Sequence, residues 1–397
     1  MRLGDLSAAA DAAREWIYAR RALVAAELQA LVRIPSMNPP GDERAAADRI
    51  LALARSLGLD PVASDAAPGR PNVQLEVSFT RPGPTVVLTT HSDVVPAPPG
   101  QFGAEYRDGR IWGRGACDAK GSLVAMLFAC ARARELRDRG RGRVVFAAVV
   151  DEECAGIGTK ALLCGGLDAD AVVVGEPTNL TVAIGHRGAY WRRLTFVGRA
   201  AHASDPDAGV NAIYGAARFA LAVRALDAEL ARRAPDPLFG PPRVSANQIH
   251  GGVLANVIAD RCELVLDRRL VPGESLATAD GEIAALAETL VTAEPGVHVR
   301  IEDDVRGVPP AATPTDHPVV VAGRAALQAL GRPGEPIGFP GGTDLAYFVS
   351  RGMPGIVLGP GDLADAHTDG ESVAVADVCL ASAAYVLTVL QLCEVAP

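Results

Sequence analysis

Acidic residues and histidines follow short apolar runs at four places in this 397-residue chain. The four junctions are Thr85–Thr90 before His91 and Asp93, Val144–Val150 before Asp151, Glu152 and Glu153, Ala171–Val174 before Glu176, and Ile356–Leu358 before a loop that reaches His367. Imidazole nitrogens and carboxylate oxygens are the ligands that zinc and related divalent metals prefer. Each junction alone is typical of a polar loop or a solvated turn, so the prediction of a metal site depends on the ordered set.

The apolar runs would bring these side chains together if they are neighbouring parallel strands. Open parallel sheets place their ligands at the carboxyl ends of the strands, so His91 and His367 should meet despite their separation in sequence. Asp118, in a glycine-containing loop before a helix, adds another carboxylate. Crowded carboxylates without a cation would repel one another. We therefore predict a site for two divalent ions, with zinc as the first choice and cobalt or manganese as alternatives.

The elements that must position these residues alternate between strands and helices. The predicted strands are Asn72–Phe79, Thr85–Thr90, Val144–Val150, Ala171–Val174 and Ile356–Leu358, with a Pro-Gly turn at Arg81–Pro84, and the predicted helices are Met1–Val32, Ser122–Arg137 and Lys160–Cys164. Continuous Val, Ile and Leu runs separated by helices are typical of a parallel sheet covered on both faces. The fold class predicted is α/β, with a mainly parallel sheet flanked by helices.

The pattern changes after Gly188 to strands with one polar face and an Ala-rich helix. The predicted elements there are the strand Trp191–Val197, the helix Val210–Arg232, and the strands Arg243–Ile249, Val257–Leu270 and His298–Glu302. This order predicts a separate α+β unit inserted into the first domain, with Gly307–Pro314 as the linker back. The predicted domains are 1–187 with 306–397, and 188–305.

Composition limits the partners and the compartment. The formal net charge is −9 and no basic block is present, which argues against nucleic acid, because phosphate binding needs clustered Lys and Arg. No apolar run predicts a membrane span. The seven cysteines form no Cys-x-x-Cys pair, so a reduced, cytoplasmic setting is expected.

Five segments in order resemble one family of metallopeptidases. They are Thr89–Pro96, Gly113–Gly121, Asp151–Glu153, Gly175–Thr178 and Ala366–Thr368, preceded by Arg33–Ser36 and Asn38–Gly41. These segments resemble the motifs of the co-catalytic zinc metallopeptidase family that includes acetylornithine deacetylase, succinyl-diaminopimelate desuccinylase, aminoacylase and glutamate carboxypeptidase. The resemblance covers nearly the whole chain.

The resemblance implies a role for each predicted residue of the metal site. Asp118 would bridge two ions, His91 and Glu176 would complete the first site, and Glu153 and His367 would complete the second. Asp93 would accept the second ring N–H of His91 and fix its tautomer. Glu152 would act as the general base on a metal-bridging water.

The resemblance also extends to the inserted domain, which would be a lid and dimerisation domain. His202, in an Arg-Ala-Ala-His-Ala-Ser segment, would donate to the oxyanion, often across a homodimer. Arg269 would hold a substrate carboxylate, and Arg268 beside it would be structural because strand neighbours face opposite ways. The remaining substrate-binding residues implied are Asn256, Gly342 and Thr343.

The expected reaction is two-metal hydrolysis of the amide bond of a small N-acyl amino acid, of the deacetylase or desuccinylase type. A dipeptidase, carboxypeptidase or aminoacylase of the same family is the nearest alternative, acting on a short peptide or another acyl amino acid. A catalytically silent ligand-binding relative would be expected to have lost a ligand, and none is missing. A two-metal phosphohydrolase would need more cationic groups for the phosphoryl oxygens.

Overall fold

The protein is described by a computed structural model that covers residues 3–293, 296–302 and 306–395. Its chain divides into two compact units, the first comprising Met1–Gly185, Ala312–Phe339 and Thr343–Pro397, and the second His186–Ala311 and Pro340–Gly342. The sequence-based boundary at 187/188 lies close to this division, and the boundary at 305/306 borders residues 303–305, outside the described residues. Those domain boundaries stay a prediction.

The described helices and strands follow one another along the chain as follows. The helices are α1 Leu3–Tyr18, α2 Arg21–Val32, α3 Arg44–Ser56, α4 Gly121–Glu135, α5 Ile157–Cys164, α6 Ala212–Leu230, α7 Leu276–Ala293, α8 Pro318–Ala329, α9 Leu345–Val349 and α10 Val375–Leu392. The strands are β1 Val62–Ala67, β2 Arg70–Ser78, β3 Arg81–His91, β4 Glu105–Arg107, β5 Arg110–Trp112, β6 Arg141–Val149, β7 Ala171–Val174, β8 Ala183–His186, β9 Gly188–Val197, β10 Arg243–Gly251, β11 Arg261–Leu270, β12 His298–Ile301, β13 Arg306–Val308, β14 Ala311–Ala312, β15 Ile337–Phe339, β16 Gly355–Val357 and β17 Ser372–Ala374.

A large sheet with a parallel centre forms the first unit. Its strand order is β1-β2-β6-β3-β7-β16-β8-β14, with β15 paired to β8. The pairs β6–β3, β3–β7 and β7–β16 are parallel, whereas β1–β2, β2–β6 and β16–β8 are antiparallel. The predicted mainly parallel α/β sheet is therefore confirmed, and its parallel strands are the ones that lead into the predicted ligands.

Helices pack against both faces of this sheet. Val144 and Phe146 of β6 join the main core with α4 and α10, whereas Ala147 and Val149 pack on the other face against Leu162 of α5. Alternate residues of one strand are thus buried on opposite faces, which explains why β6 is a continuous apolar run rather than an alternating one.

The 18-residue helix α10 is long and apolar enough to cross a membrane, judged by length and composition. Of its residues, 72% are buried inside the protein, and the Tyr385 hydroxyl donates to the carbonyl oxygen of Leu358 at 2.6 Å. The apolar surface of α10 is therefore explained by packing in the core.

The second unit contains an antiparallel sheet packed on α6 and α7. The strand order is β10-β11-β9-β12, and β13 also pairs with β9. Along β11, the residues from Cys262 to Leu270 alternate between buried and half-buried, as expected for a sheet with one face on helices. Phe196 of β9 and Phe219 of α6 make an aromatic contact in this core, with ring centroids 5.5 Å apart. The unit has the predicted α+β composition.

Three predictions about local structure were wrong. Arg81–Pro84 is the start of β3 rather than a turn, and the register shift between Arg81 and Thr85 lets the strand accommodate its prolines. Met1–Val32 is not one helix, because the Arg20 N–H bonds to the Ile17 carbonyl in a tight turn before α2; Met1 itself lies outside the described residues. The strand predicted from Val257 begins at Arg261.

The predicted linker Gly307–Pro314 spans the division between the units at Ala311 and Ala312, and it overlaps two short strands. Gly307–Pro314 contains the end of β13, which pairs with β9, and the whole of β14, which joins the large sheet. Pro309 and Pro310 lie between these two short strands, where no ladder N–H is required, and Pro314 follows the second strand.

Candidate metal centre

Two groups of ligand atoms in the first unit share Asp118. The first group is His91, Asp118 and Glu176, and the second is Asp118, Glu153 and His367. Within each group the ligand atoms lie within 4.8 Å of one another. The structure thus brings together all five residues predicted as ligands, which follow β3, β6, β7 and β16 or lie in the loop before α4.

The Asp118 carboxylate faces a different histidine with each oxygen. Its Oδ1 lies 3.1 Å from Nε2 of His91, and its Oδ2 lies 3.2 Å from Nε2 of His367. The same nitrogen of His367 lies 3.1 Å from Oε1 of Glu153. A carboxylate with one oxygen in each group has the arrangement needed to bridge two ions.

Glu176 gives the clearest indication that the first group fits a cation. The side chain is buried, and its Oε1 has no hydrogen-bond partner among the described residues. Burial raises the pKa of Glu176 to about 8, against the opposing effect of His91. An orphaned buried carboxylate oxygen costs free energy, and a divalent cation would offset that cost. Imidazole and carboxylate donors fit zinc, and also cobalt or manganese.

Both histidines lie among carboxylates that favour positive charge. Burial by itself would lower the pKa of His91, but Glu176 and Asp118 raise it well above the ordinary value, with a contribution from Asp93. Hydrogen bonds with Asp118 and Glu153 raise the pKa of His367 to about 10. Groups that stabilise a proton so strongly can bind a metal cation in its place, because metal and proton compete for the same nitrogen.

The tautomer of His91 is set by the main chain of Asp93. Nδ1 of His91 lies 3.0 Å from the carbonyl oxygen of Asp93 and 3.5 Å from its Oδ1. The predicted carboxylate contact is therefore the longer of the two. An Nδ1–H that donates to this carbonyl leaves Nε2 free to face Asp118.

The Asp93 carboxylate instead connects β3 to the acidic turn after β6. It accepts the N–H groups of Glu152 and Glu153 at 3.2 Å each, and the Asn38 side-chain amide at 2.9 Å. Burial would raise the pKa of Asp93, but the hydrogen bonds with His91 and Asn38 lower it overall. This carboxylate is thus held ionised between two strand ends.

Asp151 shapes the acidic turn itself. Its φ is +69°, and its carbonyl oxygen accepts the N–H of Gly156 at 2.6 Å. Its carboxylate accepts from Asn38 at 2.9 Å and pairs with Arg70 at 2.9 Å. Arg70 also pairs with the fully buried Glu43. The roles of Asn38, Arg70 and Glu43 could not be predicted from sequence, because no local pattern marks a polar residue that becomes buried against a distant turn.

Glu152, the residue predicted as the general base, lies in the acidic turn after β6, next to the ligand Glu153. Part of its surface is accessible, but the surrounding protein raises the pKa of Glu152 well above its ordinary value, and the Glu176 carboxylate raises it further. A carboxylate with a raised pKa holds a proton more readily near neutral pH, which suits a group that must accept a proton and then release it.

The loop that carries Asp118 is folded around Glu371. The Glu371 carboxylate accepts the N–H groups of Gly115, Cys117 and Asp118, and it also pairs with Arg114. Sequence reasoning missed Glu371. The available signal was its position four residues after His367.

The Gly-Gly-Thr-Asp segment of residues 341–344 places Thr343 and Asp344 in buried positions. The Thr343 Oγ1 accepts the N–H of Leu345 at 3.2 Å. The Asp344 carboxylate accepts a hydrogen bond from the Thr159 hydroxyl at 2.6 Å. Burial raises the pKa of Asp344 to about 6. Gly342 belongs to the second unit, where a Cβ on it would lie 3.5 Å from Val308.

His202 and Asn256 lie on paired loops of the second unit. Nδ1 of His202 lies 2.8 Å from the Ser204 hydroxyl, and His202 forms an isolated antiparallel bridge with Val257. The Asn256 carbonyl oxygen accepts the Ala203 N–H at 3.0 Å. These two predicted residues are therefore neighbours within their own unit.

Arg269 and Arg268 have different surroundings, as the strand alternation predicts. Arg268 is 1% exposed and pairs with Glu274 and Glu282. Arg269 is half-buried and lies on the opposite face of β11, where its guanidinium pairs with both carboxylate oxygens of Asp267 at 2.8 and 2.9 Å. The guanidinium is thus pre-oriented on the face of the sheet that the helices leave open.

Comparison with known sequences identifies the group to which these motifs belong. Residues 87–391 match the pattern of the family described as Peptidase family M20/M25/M40. The chain is 32% identical over 316 residues to an acetylornithine deacetylase of Myxococcus xanthus, with coverage of 78% of this chain and 80% of the relative. An acetylornithine deacetylase of Vibrio vulnificus is 28% identical over 351 residues, with coverage of 86% and 90%.

Comparison with solved structures agrees. A tripeptidase of Staphylococcus aureus superposes with a TM-score of 0.77 and 25% sequence identity, covering 94% of this chain and 98% of that one. The similarity therefore extends over the whole fold, beyond the segments that carry the motifs.

Proposed function

The chain belongs to peptidase family M20/M25/M40 and is a metal-dependent amidohydrolase, and we propose that it releases the acyl group from a small N-acyl amino acid. The observation that carries the proposal is the pair of ligand groups that share Asp118, with Glu152 beside them. His91, Asp118 and Glu176 would hold one divalent ion, and Asp118, Glu153 and His367 the other. Zinc is the first choice, with cobalt or manganese as alternatives.

The bound ions would polarise the scissile carbonyl and make a water molecule more acidic. Glu152 takes the proton from the attacking water and returns it to the leaving amine, a role open to a carboxylate that lies beside the ligands. Asp93 keeps the acidic turn in place through the N–H groups of Glu152 and Glu153. Glu152 is thereby held beside the ligands without being one of them.

The substrate contacts proposed for the second unit follow from its donors. Arg269 binds the carboxylate of the amino acid through its planar guanidinium, and His202 donates to the oxyanion that forms as the amide is attacked. Asn256 and Gly342 of the same unit and Thr343 of the first unit complete the proposed contacts. A guanidinium already oriented by Asp267 loses less side-chain entropy when it binds.

Deacetylation of an N-acetyl amino acid is the first choice of reaction, because the acetylornithine deacetylases match over most of their length. Desuccinylation and aminoacylase activity remain neighbouring possibilities in the same reaction class. Cleavage of a short peptide is the second candidate, favoured by the similarity to a tripeptidase over 94% of this chain.

We also propose a cytoplasmic homodimer. The seven cysteines are free, which suits a reducing compartment. Strand β10 is an edge strand of its sheet, with Ile249 exposed on it and Tyr214 and Leu221 exposed on α6. Exposed apolar side chains beside an unpaired edge suit association with a second copy.

Light scattering after size exclusion tests the dimer. The wild type should have twice the mass of the chain, and Leu221→Glu should shift the measured mass toward that of the monomer. A wild-type monomer would refute the dimer.

The deciding experiment compares wild type with Glu152→Gln on N-acetyl, N-succinyl and N-formyl amino acids and on di- and tripeptides. Each protein is reconstituted with zinc, cobalt or manganese, and its metal content is measured. We expect chelator-sensitive amine release by wild type and a loss of about 100- to 10,000-fold in kcat for Glu152→Gln, with metal retained. Glu27→Gln on α2 provides the control, because it is the same type of substitution at a residue outside the proposed site.

The outcomes separate the candidates. Turnover of acyl amino acids in preference to peptides supports the deacylase, and the reverse supports the peptidase. Full activity of Glu152→Gln would remove Glu152 as the base. Two bound metals without turnover of any substrate would contradict the acyl amino acid proposal.

A further inference from the structure

Glu371 lies outside the two ligand groups, yet it contacts the loop that positions their shared member. Its side chain is 2% exposed. Oε1 accepts the N–H groups of Gly115 at 2.8 Å and of Cys117 and Asp118 at 3.2 Å each. Oε2 accepts from Nη1 of Arg114 at 2.6 Å. One carboxylate therefore binds three main-chain donors and one guanidinium from a single short loop.

The main chain of Glu371 adds a further contact, because its carbonyl oxygen accepts the Gly113 N–H at 2.9 Å. The adjoining Ser372–Ala374 strand pairs with Arg110–Trp112, just before the loop. Glu371 is thus fixed at the base of the loop by sheet pairing, while its carboxylate reaches the main chain that leads to Asp118.

The loop needs such an anchor because its backbone is sharply bent. Gly113 and Gly115 have φ values of +152° and +83°. Successive N–H groups that converge on one oxygen form an anion-binding concavity, and each bond to an ionised acceptor is stronger than a neutral one. Removal of the charge would weaken all these bonds at once and leave Arg114 buried without its partner.

The position of Asp118 tolerates little change. Its two oxygens lie 3.1 and 3.2 Å from two histidines, one at the end of β3 and one in the loop after β16, so a rotation that improves one contact lengthens the other. Metal ligands must be held within about half an ångström of the productive geometry. The Asp118 N–H is itself one of the donors to Glu371. The Glu371 carboxylate therefore contacts the main chain of the shared ligand directly.

We propose that Glu371 is a positioning residue that holds Asp118 in the orientation in which it serves both metal sites. The inference rests on the proposed two-metal function. In this role Glu371 does not bind a metal ion itself. It links the loop that carries Asp118 to the segment that begins with His367, so that these two ligands keep one relative geometry.

Glu371→Gln tests the proposal, because it keeps the shape and removes the charge. The readouts are the dissociation constants for zinc and cobalt, from competition with a chromophoric chelator, and the visible absorption spectrum of the cobalt form. We expect metal binding about 10- to 100-fold weaker and an altered cobalt spectrum, as is usual when a group that orients a ligand is changed.

Glu282→Gln is the matched control, because Glu282 also pairs with a buried arginine, Arg268, in the second unit. It should lose comparable stability and keep the wild-type metal affinities. Glu371→Gln with wild-type affinities and spectrum would overturn the proposal, as would an equal loss of affinity in Glu282→Gln.

A double variant covers the case in which Glu371→Gln fails to fold. Glu371→Gln with Arg114→Met removes the buried unpaired guanidinium and leaves only the weaker amide acceptor for the three N–H groups. The same weakening of metal affinity is expected, and its absence in the folded double variant would refute the positioning role. Failure of wild type to bind two ions would instead contradict the proposed function, which is a separate result.

Discussion

Single residues of this protein differ in how far their chemistry depends on burial. Asp344 was seen in the sequence only as the end of a Gly-Gly-Thr-Asp segment, yet it is buried with the Thr159 hydroxyl as a hydrogen-bond donor. Burial raises its pKa to about 6 from an ordinary value of 3.8. A group of this kind makes the free energy of unfolding depend on pH.

The direction of that dependence follows from proton binding. Between about pH 4 and 6 the folded chain holds a proton on Asp344 that the unfolded chain has released, so the contribution to stability falls as the pH rises through this window. We expect Asp344→Asn to be more stable than wild type above pH 6, by about 2–3 kcal/mol, and to lose this advantage below pH 4. Denaturant unfolding with chelator present, from pH 4 to 8, measures the difference.

Asp138→Asn, at an exposed position, is the control for Asp344→Asn. Its stability relative to wild type should not change with pH in this way. A stability difference between Asp344→Asn and wild type that stays constant from pH 4 to 8 would contradict the prediction.

Arg269 offers a second test at the residue scale. We expect Arg269→Lys to raise KM for N-acyl amino acids by about 10- to 100-fold, because a lysine cannot form the planar bidentate contact with a carboxylate. N-acyl amines without a carboxylate should show no change. Initial-rate kinetics on matched substrates measures both effects.

Arg243→Lys is the matched control. Arg243 lies directly opposite Arg269 on the neighbouring strand β10, and its guanidinium forms an ion pair with Asp227. If Arg269→Lys changes KM equally for substrates with and without a carboxylate, the assigned role is wrong.

Near the strand ends, helices and strands are joined by side-chain hydrogen bonds that no local sequence pattern reveals. Asn72 of β2 accepts the Val150 N–H after β6 at 3.1 Å and donates to the Gly158 carbonyl of α5 at 2.9 Å. The Gly158 N–H in turn donates to the Val150 carbonyl at 3.1 Å. These bonds close the acidic turn between β6 and α5 at its base.

The close approach at Gly158 leaves no room for a side chain. A Cβ there would lie 2.5 Å from the Val150 carbonyl oxygen and 2.7 Å from Oδ1 of Asn72. We expect Gly158→Ala to destabilise the protein by about 1–3 kcal/mol, measured by denaturant unfolding, because backbone must shift.

Gly281→Ala provides the opposite case. Gly281 lies within α7, and no atom of the described residues comes inside 4 Å of an added Cβ, so alanine should stabilise by about 1 kcal/mol through its helix propensity. Equal effects of the two substitutions would show that helix propensity, and not the contact with Val150, determines the result.

At the scale of the whole molecule, the predicted ligands and most of the predicted substrate contacts fall in different units, with Thr343 as the exception in the first unit. All five ligands and Glu152 belong to the first unit, whereas His202, Asn256 and Arg269 belong to the second. Metal binding should therefore stabilise the first unit directly.

Calorimetry with and without chelator tests this expectation. With free metal about 100-fold above its dissociation constant, one site adds about 2.7 kcal/mol to stability. We expect chelation to lower the unfolding temperature of the first unit by several degrees and to leave the heat absorption of the second unit nearly unchanged. Metal that shifts neither transition would contradict the assignment of the ligands.

The sequence by itself determined the parallel centre of the large sheet and the candidate ligands. Apolar runs of Val, Ile and Leu bury on both faces, so β6 and β7 could be recognised from local composition. The family motifs then assigned His91 and Glu176 to ligand positions, and the fold brings them together with Asp118.

The tertiary structure alone decided which polar groups hold that site together. Glu371, Arg70 and Asn38 acquire their roles from partners that are distant in sequence, and the antiparallel edge strands depend on pairing that local patterns do not encode. The physical reason is that burial creates both the need for a hydrogen-bond partner and the shift in pKa. Because burial is a property of the packed chain, a window of sequence cannot reveal it.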